Sequence, residues 1–209
     1  METHAADPNV FVHVRVVLGM VVSLGMARLL TGVAGFVQHP GRLKPDPVHL
    51  LWVASTLLLL LHFWWWEFEL GRVKGWHFGV YVLVLYYAVV NFLLCALLFP
   101  TDLAEYAGYR DYFLSRRRWF FGLLAMGYVV DALDTRLKGA EYVAAMGIEF
   151  PLRVGVYLVL CLVAALVKNV RFHLAFAAAN LVYQVSYIAR RYDVYEPERW
   201  HEERCLAAR

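Results

Sequence analysis

Seven polar side chains interrupt otherwise apolar stretches of this chain: Arg15, His62, Glu69, Asp131, Asp134, Asn180 and Gln184. Inside a bilayer each of these residue types is costly unless it is paired, hydrated or put to use. Carboxylates and histidines at such depth are the usual parts of cation-binding and proton-exchange sites. Their spacing is helical. His62, Trp66 and Glu69 follow one another by four and three residues, so an α-helix places them on one face, with Glu67 pointing elsewhere. Asp131 and Asp134 are three apart, and Asn180, Gln184, Tyr187 and Arg191 again run by fours and threes. Two kinds of chemistry fit this pattern. The groups line a polar half-cavity in which Asp131, His62 or Glu69 binds a small solute or cation or exchanges a proton. Alternatively, Arg15 pairs with Asp131, or failing that with Glu67, and the amides tie helices together.

Histidine placement suggests a second class of function. His49 and His62 lie 13 residues apart, close to the spacing by which one helix ligates two stacked b-type haems. Such a haem needs a facing histidine at matching depth, and His49 with His173 is the pair available. That reading makes the chain a redox subunit holding haem b or contacting quinone. The third alternative is a sensory or scaffolding protein with no chemistry beyond helix packing. The sequence has no nucleophile elbow, phosphate-binding glycine loop or HExxH zinc motif, which argues against a hydrolase or an ATP-driven machine. Cys95, Cys161 and Cys205 form no CxxC metal site and no disulfide framework. No resident metal or other cofactor is implied.

The elements that must position these groups are membrane-spanning helices. Of the 209 residues, 61% are hydrophobic, and the mean hydropathy is +0.53. Soluble domains sit nearer half apolar because they must cover their surface. From Leu50 to Trp66 only Ser55, Thr56 and His62 break the apolar run, enough for a helix to cross about 30 Å of hydrocarbon. Six such blocks occur, at 10–37, 48–70, 76–99, 116–137, 150–167 and 172–189, followed by a polar tail at 190–209. The fold expected is therefore an all-α polytopic bundle of six transmembrane helices within one membrane domain. The opening METHAADPN lacks the positive charge of a secretory signal, so the first block is expected to be retained.

Between the third and fourth blocks, DLAEYAGYRDYFLS mixes aromatics with charges, which predicts a short interfacial helix. Arg116, Arg117 and Arg118 beside Trp119 predict an anchor for anionic lipid. Six spans put both termini on one face, side A. Lysines and arginines divide almost evenly between it and side B, and the charged tail favours side A as cytoplasmic. The partners expected are lipid and a small solute or cation, and a net charge of +3 makes no case for nucleic acid. Gly19, Ser23, Ala27, Thr31 and Gly35 recur at every fourth position, a stripe that lets another helix approach closely, either within the subunit or across a homodimer. The aromatic stretch HFWWWEFEL and the run RRRWFFGLL resemble those of uncharacterised bacterial multi-span membrane proteins. That resemblance implies an inner-membrane location and no particular activity.

Overall fold

The computed structural model describes residues 8–41, 44–73 and 75–192. Among them every regular element is helical: α1 (Pro8–Gln38), α2 (Pro47–Trp66), a 3₁₀ segment (Glu67–Arg72), α3 (Phe78–Leu98), α4 (Tyr109–Leu137), the short α5 (Ala140–Ala145), α6 (Glu149–Leu166) and α7 (Val170–Tyr192). Four of the helical stretches are long and apolar enough to cross a membrane: Val10–Gln38, Pro47–Gly71, Phe78–Leu98 and Glu149–Leu166. The helices α4 (29 residues) and α7 (23 residues) have the length but carry more charge. The tail at 193–209, with Cys205, lies outside the described residues.

Neighbouring helices pack as α1 on α3, α3 on α4, α4 on α6, and α2 on α7, with α2 also touching α1, α3 and α4. One apolar core joins them, containing Leu18, Leu29, Trp52, Leu60, Leu94 and Phe121. Large apolar side chains also cover the outside, among them Met20, Leu24, Phe78, Leu152, Leu162 and Val182. A chain apolar inside and out suits a hydrocarbon solvent.

No separate interfacial helix forms between α3 and α4. Asp102 Oδ1 accepts from the Ala104 amide at 2.8 Å and Tyr106 N–H bonds to the Leu103 carbonyl at 3.0 Å, but this turn does not propagate. Gly108, at φ 145°, breaks it, a conformation side-chain-bearing residues avoid. From Tyr109 onward nothing interrupts the helix, so YRDYFLS becomes the first turns of α4.

The small-residue stripe of α1 does not form the seam within the subunit. Ser23, Ala27 and Thr31 are exposed, while Val14, Leu18, Val22, Gly25 and Leu29 face the bundle. Within the stripe Gly19 alone is approached closely, a Cβ there lying 3.1 Å from the Trp64 ring, and the contacts with α3 are made by glycines outside the stripe. A Cβ on Gly25 would lie 3.3 Å from both Cys95 Sγ and Leu60 Cδ1, and one on Gly32 would run into the Phe99 ring.

The end of α3 is capped by side chains of neighbouring helices. Pro100 stops α3, leaving its last carbonyls without intrahelical donors. Three other helices supply donors: Tyr112 Oη to Leu97 O at 2.8 Å, His49 Nε2 to Leu98 O at 2.6 Å, and Arg28 Nη2 to Phe99 O. The end of α6 is treated alike. His173 Nε2 donates to Val167 O at 2.9 Å, and Arg117 reaches Leu166 O at 3.5 Å. Arg117 is thereby buried between helices, so the basic run is no uniform lipid anchor; Arg116 bonds Tyr106 Oη at 2.7 Å, and Arg118 is exposed.

Candidate functional site

The second polar layer lies at the opposite end of the bundle, where α2 and α4 finish and α6 begins. Its shape follows from a change of helix type. Through Trp66 the chain is α-helical; from Glu67 to Arg72 it tightens to 3₁₀. At three residues per turn, positions 67, 70 and 73 eclipse one another. Glu67, Leu70 and Val73 are accordingly the buried face, and Glu69 is turned to a half-exposed position. The expectation from α-helical spacing that Glu69 faces inward and Glu67 elsewhere is thus reversed.

Glu67 meets two residues of α4's last turn. Lys138 Nζ lies 2.5 Å from Asp134 Oδ2 and 3.3 Å from Glu67 Oε1, and it also reaches the Trp66 carbonyl at 3.5 Å. The three side chains are 0–1% exposed. Lys138 stands just beyond the end of α4. Burial works to lower its pKa, but Glu67 and Asp134 outweigh this and hold it above the usual lysine value, so it is an ammonium. One turn along the same face of α4, Asp131 Oδ2 pairs with Arg153 of α6 at 3.2 Å, and its Oδ1 accepts from Tyr87 Oη of α3 at 3.3 Å. The Arg153 guanidinium lies against the rings of Tyr187, at 4.8 Å, and Phe150, at 5.3 Å.

Asp131 and Arg153 form part of the wall of a partly open cavity of about 60 Å³, together with His62, Trp66, Tyr87, Gln184 and Tyr187. A space of this size admits several water molecules or a small ion or solute. Gln184 Oε1 and Trp66 Nε1 are buried without a hydrogen-bond partner, and both residues line the cavity. Trp64, Trp65 and Trp66 point in different directions: Trp66 is buried, Trp65 is exposed, and Trp64 lies beneath Gly19 and Arg15.

The groups singled out by spacing therefore separate. Asp131, His62 and Gln184 converge on the cavity. Asp134 belongs to the ion group beside it, and Asn180 instead accepts from Tyr157 Oη at 2.7 Å. Arg15 does not reach Asp131 or Glu67. Its guanidinium lies 3.9 Å from the centroid of Phe68 and 5.5 Å from those of Phe11 and Trp64. Rings at the membrane boundary substitute for a counter-ion because the π face is negative.

Two cations of the layer, Arg153 and Lys138, escaped the sequence reading as site residues. The Asp134–Lys138 spacing of four was a legible signal; Arg153 stands near the start of its span and gave none. The two histidines considered as haem ligands are each engaged through Nε2 by a backbone carbonyl, His49 among Phe36, Phe99 and Tyr109, and His173 among Phe113, Phe121 and Phe172. Among the described residues no three His, Cys, Asp or Glu side chains are grouped to hold a metal ion. No known protein family, curated protein or solved structure matches this chain.

Proposed function

We propose that this chain is a six-span membrane protein that binds and passes a small cation or small polar solute through the cavity at Asp131. The observation that carries the reading is the placement of an acid–base pair, Asp131 with Arg153, on the wall of a cavity lined by α2, α3, α4, α6 and α7. A pair needed only for packing gains nothing from a space beside it. Here the pair meets room for water, with Gln184 Oε1 an unused acceptor on the same wall. Polar groups facing the interior of a membrane bundle mark substrate and ion pathways.

The six-span count draws support from the outer faces of α4 and α7. In their middle turns both helices carry polar groups inward, with Arg117, Asp131, Asp134 and Asn180 buried, while the exposed charges Arg110, Asp111, Arg116, Arg118 and Arg136 of α4 and Arg171 and Arg190 of α7 lie towards the helix ends. Outward they present Trp119, Met126, Val129 and Leu133 on α4, and Leu174, Val182 and Val185 on α7. Those positions recur by threes, fours or multiples, which is one apolar stripe per helix.

Flux into reconstituted vesicles tests the proposal. Asp131→Asn keeps the volume and removes the charge, so cation or solute flux should fall at least tenfold. The double variant Asp131→Asn/Arg153→Gln keeps the site neutral and guards against a folding defect, and it should be as inactive. Unaltered flux through a well-folded Asp131→Asn protein would sink the assignment.

A further inference from the structure

Among the described residues, the charges at this end of the bundle do not balance within one group. Glu67 and Asp134 are two carboxylates facing the single cation Lys138, whereas Asp131 is matched by Arg153. All five are buried or nearly so, and an uncompensated charge in such surroundings is neutralised rather than tolerated. We propose that the Glu67–Lys138–Asp134 group holds one exchangeable proton, and that this proton is the ion handled by the adjoining cavity. The second clause rests on the transport reading above; the first does not.

The geometry locates the proton. Asp131 has Arg153 and the Tyr87 hydroxyl to itself, whereas Glu67 and Asp134 share a single ammonium. Each of these two leaves one oxygen, Glu67 Oε2 and Asp134 Oδ1, buried with no hydrogen-bond partner among the described residues. Glu67 is the more weakly held, at 3.3 Å against 2.5 Å, and so carries the proton. The other described ionisable neighbours do not repair the balance. His62 on α2 shares the cavity wall with Arg153, whose charge opposes a second cation beside it. Tyr87 on α3, Tyr128 on α4, Tyr142 on α5, and Tyr183 and Tyr187 on α7 bring hydroxyls and no cation, and Glu149 at the start of α6 is matched by Arg190 at 2.8 Å.

Trp66 adjoins both places: it borders the cavity, and its carbonyl and ring meet Lys138, the ring centroid 5.6 Å from Nζ. Release breaks one carboxyl O–H bond. The electron pair stays on the Glu67 oxygen, the proton passes to a cavity water, and nothing is oxidised or reduced.

Infrared difference spectroscopy of the detergent-purified full chain reads the proton directly, without any flux measurement. At neutral pH the protein should show the carbonyl band of one protonated carboxyl, shifted in D₂O. Glu67→Gln should abolish it, Asp131→Asn should leave it, and Lys138→Met should double it, because the group then needs a second proton. Absence of the band in the native protein would overturn the proposal, as would its removal by Asp131→Asn alone. Loss of the band on adding sodium chloride at fixed pH would replace the proton by a sodium ion. Should Glu67→Gln not fold, the doubling in Lys138→Met decides. A vesicle experiment without flux refutes only the transport role and leaves the proton where the band puts it.

Discussion

Arg153→Met replaces the counter-ion of Asp131 by an apolar chain of similar length, and its cost follows from the surroundings. The Asp131 and Arg153 side chains are only 11% and 10% exposed, so water screens the pair little. Breaking a buried pair by removing one partner costs about 3–5 kcal/mol, because the remaining charge is stranded. The lower end applies, since Asp131 keeps the Tyr87 hydroxyl at 3.3 Å and borders the cavity. For a chain of 209 residues, about 3 kcal/mol corresponds to a melting temperature lower by roughly 6–12 °C. Asp131→Asn should cost a similar amount by stranding Arg153, which is buried against Tyr187 and Phe150. The double variant Asp131→Asn/Arg153→Met strands neither, and it should melt within a few degrees of the native protein. Thermal unfolding of the four proteins in one detergent closes the cycle, with an expected coupling of about 2 kcal/mol or more. Arg15→Met serves as the contrast, its ring contacts being worth about 0.5–1 kcal/mol at an accessible position. Additive losses for Asp131 and Arg153, or a larger loss for Arg15, would refute the pairing on which the site is built.

Other expectations concern the frame around the site. Gly32→Val drives a branched side chain into the Phe99 ring and should destabilise by about 1–3 kcal/mol through overpacking, whereas Ala27→Val on the exposed face of the same helix should change the melting temperature little. Tyr112→Phe deletes one of three donors on the end of α3 and should cost about 1–3 kcal/mol, the price of leaving the Leu97 carbonyl bare, read as the same melting shift. His49→Phe keeps the ring contacts but loses the bond to Leu98 and should cost as much; a protein whose melting is unchanged would mean that water, not His49, satisfies that carbonyl.

The all-helical class and four long apolar stretches were legible because length and hydropathy are local properties, and so were some of the ends, although α4 begins at Tyr109 and not at 116. The third block was expected to stop at Pro100 and α3 ends at Leu98; the fifth was expected at 150–167 and α6 runs Glu149–Leu166. The depth of Asp131 was equally plain, since a carboxylate deep in such a block must face the interior. Its partner was not. Which cation reaches it depends on how each helix is rotated about its axis and which helices adjoin, and that is a property of packing. Arg15 and Arg153 stand at comparable depth in their spans, yet only α6 carries its arginine against α4, while α1 turns its own towards Phe68. Glu67 entered the site because the last turn of α2 tightened to three residues, a change of about 20° per residue that no α-helical projection contains. The seam glycines follow the same logic. A period of four is visible in Gly19, Ser23, Ala27, Thr31 and Gly35, but the face that touches α3 is the one bearing Gly25 and Gly32, selected by where Cys95 and Phe99 leave room. Composition thus determined the solvent and the helices, and tertiary contact alone decided which faces meet and which charges compensate one another.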